Sequence, residues 1–216
     1  MWTVSTLEYD PGVTTSYHHG NLREALVREA VALAREKGAA GVVLREVARR
    51  AGVSHNAAYR HFADRDELLR EVAEAGMDEL AAAMRTRADR RFGGTTEARV
   101  RRRLREIGTA YVEFALAEPG LFGVAFSAHP AEEPVEAPAS EPAWEGPYDL
   151  LCQALDGLVS AGVMTAERRE GAEIVCWSAV HGFAMLHLDG PLQDLPAPER
   201  AVELERMLDL LERGLS

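Results

Sequence analysis

Seven residues between positions 45 and 61 carry the groups of this chain best suited to gripping and reading a polyanion: Arg45, His55, Asn56, Ala57, Tyr59, Arg60 and His61. Guanidinium, imidazole and phenol groups donate to phosphate oxygens. A carboxamide pairs with the edge of adenine, and an alanine methyl fits against that of thymine. Glu46 is the sole acid in residues 44–62. The chemistry this implies is noncovalent recognition of a nucleic-acid duplex.

Such groups act only if something holds them in one plane, and the residues between them do so. In LREVARRAGVSHNAAYRHF, residues 44–62, Leu44, Val47, Ala48 and Ala51 recur at helical spacing and make one apolar face. Gly52 follows where the chain needs a positive φ, and Val53 points back into the angle. Ser54 is placed to cap a second helix whose buried side is Ala58 and Phe62. Ala48 is small enough for two helices to meet across so short a turn. The pattern is a helix-turn-helix, with Asn56 reading adenine and Ala57 a thymine methyl from the start of its second helix. A first helix, capped by Asn21 and running to Gly38 with Leu22, Leu26, Ala30 and Leu33 inward, would brace it. A long helix capped by Asp64, with Asp66 and Glu67 in its first turn, would leave it and run to about Arg91.

AGVSHNAAYRHFADRDELL resembles the DNA-binding signature of the tetracycline repressor (TetR) family. YHHGNLREAL at 17–26 and WSAVHGF at 177–183 resemble the flanking marks of its WHG subgroup. The likeness covers residues 17–69, and beyond them only the Trp-x-x-x-His-Gly patch. It implies that Arg45 reaches a base or phosphate, that Tyr59 and His61 hold phosphates, and that Arg65 stands where the family has a phosphate-binding lysine. With Ser54, His55, Asn56 and Ala57 these form the expected DNA-binding set. AAGVV, before the second helix, lacks the family's Thr or Ser near Val43. The resemblance also implies a dimer joined through the last two long helices, and a helical effector-binding body.

The whole chain has 216 residues and a net charge of −11, which argues against nucleic acid until it is divided. Residues 17–62 hold eight Arg or Lys and four Glu, a surplus of four positive charges, so the remainder carries −15. A basic head on an acidic body orients the molecule on DNA. No signal peptide is expected in MWTVSTLEYDPGVTTS, and Ile174–Leu188 is too short and too interrupted to span a membrane, so a cytoplasmic protein is expected. Cys152 and Cys176 are expected as reduced, packed thiols. His18 and His19 have no third ligand at a fixed spacing, so neither a metal nor any other cofactor is expected. No nucleophile elbow, zinc-binding pair of histidines or phosphate loop supports an enzyme.

The remainder reads as helices. Thr96–Ala117 buries Val100, Leu104, Ile107, Tyr111 and Phe114; short 121–126 follows, then 148–162, one helix from Ala166 to Leu188, and 198–213. Residues 128–147 hold five prolines, five glutamates and no Arg or Lys, and read as a loop; 1–16 read as a mobile arm. The arginines at 99–105 read as a solvated helix face. The expected fold is all-α with about nine helices: a DNA-binding domain over 17–62 and an effector-binding and dimerisation domain over 63–216. Ile174–Leu188 is apolar nearly all round, and with the seam of Leu204, Leu208, Leu211 and Leu215 it calls for a second copy. Tyr111, Phe114, Phe122, Phe126, Trp144, Tyr148, Trp177 and His181 are candidates to line a ligand cavity. The expected function is a homodimeric regulator, a repressor of a palindromic operator released by an unknown small molecule; the alternative is a DNA-binding or architectural factor without an effector.

Overall fold

A computed structural model describes residues 19–91, 93–127 and 146–215; the expected N-terminal arm, most of the expected loop, and Trp144 lie outside them. Ten helices occur among the described residues, and no strand: α1 His19–Gly41, α2 Leu44–Arg50, α3 His55–Ala58, α4 Arg65–Ala88, α5 Thr96–Ala117, α6 Pro119–Ser127, α7 Pro147–Ser160, α8 Ala166–Arg169, α9 Ala172–Leu188 and α10 Ala197–Leu215. None is long and apolar enough to cross a membrane.

The tenth helix comes from Gly171, whose φ of 72° ends the stretch expected as one helix and restarts it as α9. Two smaller differences lie at helix starts. α1 begins ahead of Asn21 and carries a break at Gly38, and Pro147, expected in the loop, is the first residue of α7.

Two cores organise the helices. One gathers Leu26, Leu33, Val47, Ala58 and Phe62 of the head with Leu68 and Val72 of α4, and Leu121 and Val124 of α6. The other gathers Leu80 and Met84 of α4, Ile107 and Tyr111 of α5, Leu155 of α7, Val180 of α9 and Leu208 of α10. α4 therefore runs through both, its first half in the head's core and its second in the body's.

α6 is the other link. A Cβ on Gly120 would stand 2.2 Å from the Ala34 carbonyl oxygen of α1, so only glycine lets α6 lie this close. Arg35 of α1 tightens the joint by donating to Glu118 at 3.0 Å and to Glu79 of α4.

Candidate functional site

The head builds its exposed face from the turn outward. Gly52 has φ 69°, the left-handed conformation that a Cβ would strain, and Ser54 caps α3 by accepting the Ala57 N–H at 3.2 Å. α-Helical geometry ends at Ala58, and single-turn backbone bonds carry the chain on to Phe62, which is fully buried. Asp64 then caps α4 by accepting the Glu67 N–H at 2.8 Å, and Glu67 returns a bond to the Ala63 N–H at 2.7 Å. Val43 caps α2 with backbone alone, as its lack of a hydroxyl requires.

On this scaffold Arg45, Ser54, Asn56, Tyr59 and Arg60 are exposed, and His55 and His61 half-buried. Tyr59 and His55 meet edge to face, ring centres 4.5 Å apart, which fixes the tyrosine. Arg45 and Arg60 have no acidic partner among the described residues, so their charge is free for an anion. Ala57 corrects the expectation of an outward methyl: it is 8 % exposed, in the first turn of α3 where its N–H is held by Ser54.

Four other arginines of the head are occupied. Arg65, expected on a phosphate, donates through Nε to the Val42 carbonyl at 2.8 Å and through Nη2 to that of Ala39, closing the frayed end of α1 after Gly38. Arg50 grips Glu36 through two bonds of 2.7 Å. Arg49 grips Glu46 the same way, and that bond holds the Glu46 carboxyl down to about 2. Arg23 was not singled out by the sequence reading. Its guanidinium lies 4.5 Å above the Phe62 ring centre and donates to the His61 carbonyl at 2.7 Å and to Glu71, pinning the end of the reading turn to α1 and α4.

In the body, Tyr111, Tyr148 and Trp177 line a cavity of about 40 Å³ with the aliphatic side chains of Met84, Leu104, Ile107 and Leu208. Phe122, Phe126 and His181 stand behind it, packed on one another: Phe122 and Phe126 ring centres are 4.7 Å apart, and Phe126 and His181 4.9 Å. Phe114 packs between the two cores and is not part of the wall. Trp177 Nε1–H donates to the Tyr111 hydroxyl at 3.2 Å, and assigning that hydroxyl's proton to His181 Nδ1, 2.8 Å away, satisfies all three groups. Burial pushes Tyr111 up, pushes the Cys176 thiol up to about 11 and pulls His181 down.

Arg105, read as part of a solvated face, closes one edge of this cavity. It donates to Glu205 at 2.6 Å, Glu212 at 3.1 Å and Asp209, and so ties α5 to α10. The seam of Leu204, Leu208 and Leu215 is buried within the subunit. What α9 and α10 expose is Ile174, Val175, Met185, Leu186, Val202 and Leu210, beside an open groove of about 980 Å³. Among the described residues, no three His, Cys, Asp or Glu side chains cluster as a metal site would require.

Residues 104–211 match the family described as "Tetracyclin repressor-like, C-terminal domain", and residues 26–72 match "Bacterial regulatory proteins, tetR family". No curated protein sequence matches. Among solved structures, a protein of unknown function from Rhodococcus sp. RHA1 is 30% identical over 93% of this chain and 98% of its own, with a TM-score of 0.71. The TetR family transcriptional regulator PfmR from Thermus thermophilus is 18% identical over 88% of this chain and 98% of its own, TM-score 0.54. A TetR variant from Acinetobacter baumannii AYE, in complex with minocycline, is 18% identical over 88% of this chain and 94% of its own, TM-score 0.55. At that identity the last two bear on the fold alone.

Proposed function

The chain belongs to the tetR family of bacterial regulatory proteins, and from that premise we propose that it represses transcription as a homodimer on a palindromic operator, released by a small molecule bound in the body. The observation that carries the reading is the α2–α3 face, where Arg45, Asn56, Tyr59 and Arg60 are exposed together, and both arginines lack a carboxylate among the described residues.

Asn56 is the base reader, its carboxamide matched to adenine. Arg45, Tyr59, Arg60 and His61 take phosphates, which fix register and supply salt-dependent affinity. Arg65 supports them from behind by holding the end of α1. The second copy covers the exposed apolar side chains of α9 and α10. Two heads so joined meet successive major grooves roughly 34–36 Å apart, or a little more.

The route for release is α4. Met84 sits on the cavity wall and Leu68 and Val72, on the same helix, sit in the head's core, so a shift at one end reaches the other through a rigid rod. A ligand favouring the wrong head separation by about 1–3 kcal/mol weakens operator binding about 5- to 150-fold. In this reading the protein works in the cytoplasm beside the chromosome and catalyses nothing. A cavity of only about 40 Å³ favours one competitor, a DNA-binding factor with no effector.

The test is a titration of labelled duplex from the protein's own promoter, with the mass of the complex measured alongside. The reading expects a complex with two subunits per site that tightens as salt falls; a monomer, or no binding at low salt, contradicts it.

A further inference from the structure

The walls of the body cavity say what kind of molecule it accepts. Six lining side chains have polar atoms: four are engaged, one sits at the rim, and one is a neutral buried thiol. Tyr111 accepts from Trp177 and bonds His181, which uses both hydroxyl capacities and the only N–H of the indole. Arg105 and Glu212 are bonded to each other at 3.1 Å, and Arg105 has two further carboxylates. Cys176 is 5 % exposed, its thiol held neutral by burial, and Tyr148 is 39 % exposed at the mouth. The rest of the wall is aliphatic apart from Gly108 and Pro147.

A charged ligand would therefore lose its water and find no unpaired counter-charge among the described residues of the wall. That loss disfavours an ion of either sign even after the walls relax. Burial also moves Tyr111, Cys176 and His181 toward their neutral forms, so the surroundings oppose charge of either sign. An apolar ligand meets only favourable contact. The volume of about 40 Å³ is smaller than the roughly 150 Å³ void that admits a benzene ring, so any ring-sized ligand must part the walls.

We propose that the cavity bounded by Tyr111, Trp177, Ile107 and Leu208 takes an uncharged, apolar ligand and refuses anions and cations of the same size. The proposal rests on the effector reading above and names the class of effector. Selectivity comes from the absence of an unpaired charge among the described residues of the wall, and entry from separation of α10 from α5 against the Arg105 bridges.

The experiment uses the wild-type full chain and three probes of one ring's size: ethylbenzene, benzoate and benzylammonium at neutral pH. Binding is followed by calorimetry and by methyl resonances of Leu104, Ile107, Val180 and Leu208. Ethylbenzene should move these methyls and bind at least tenfold more tightly than either ion. A charged probe that moves the same methyls with equal or higher affinity overturns the proposal and leaves the cavity as an effector site. If none of the three moves them, the proposal and the effector reading fall together.

Discussion

The head and the body use arginine in opposite ways. In the body three half-buried guanidiniums bridge helices: Arg87 joins Glu106 and Glu113, Arg105 joins Glu205, Asp209 and Glu212, and Arg169 joins Asp156 and Glu173. In the head, Arg23, Arg49, Arg50 and Arg65 are likewise committed, but Arg45 and Arg60 stand in solvent with no carboxylate among the described residues. A count of basic residues separates a positive head from a negative body, but it does not say which cations can meet a phosphate. Pairing does: a bridged arginine holds helices together, and an unbridged one at an exposed turn is free to bind.

The largest effect is expected where the regions meet. Gly120→Ala places a methyl against the Ala34 carbonyl, and overpacking of this kind costs about 3 kcal/mol; chemical denaturation should show it, and an unchanged midpoint would mean that α6 does not join the two regions as described. Next is Arg105→Ala, which leaves three carboxylates of α10 facing α5 without their cation and should destabilise by about 2 kcal/mol by the same measurement, with no direct effect on phosphate contact. Arg60→Ala should do the reverse. Stability stays within about 0.5 kcal/mol, while the slope of log K against log salt for duplex binding shrinks by about 1. An arginine that behaved like its opposite would break the comparison.

The smallest effect concerns pH. Burial holds the folded pKa of His181 below the ordinary 6.5, so the unfolded chain binds the proton first. The His181 contribution is thus present above about 6.5 and is lost as pH falls from there toward the lowered folded value. His181→Gln should flatten the dependence of melting temperature on pH in that window; an unchanged slope would mean that another group sets it.

What was legible in the sequence is what local chemistry dictates. Gly52, Ser54 and Asp64 each do a job that few residue types can do, so the turn and two helix starts stood out before any coordinates. The break at Gly171 did not, because a helix tolerates glycine and the apolar period runs on through it. Ala57 was misplaced because spacing alone does not show that the first turn of α3 buries it. Arg65 matched a family position, yet the carbonyls it binds are exposed only because α1 breaks at Gly38. Of the seven described cavity candidates, three line it. Phe122, Phe126 and His181 were drawn instead into one another, a choice made by helix packing and invisible to a count of aromatics. The partners of Arg105 lie about a hundred residues away on α10, beyond the reach of any local pattern.

The most direct test of the central claim compares Asn56→Ala with Tyr59→Ala across a set of operator duplexes, each changed at one base pair. The account predicts that Tyr59→Ala weakens binding to all of them alike. Asn56→Ala should instead erase discrimination of about 1–3 kcal/mol at one position and leave the others ranked as before. If Asn56→Ala leaves the ranking untouched, or if neither change affects binding, the face of α3 is not what reads the DNA.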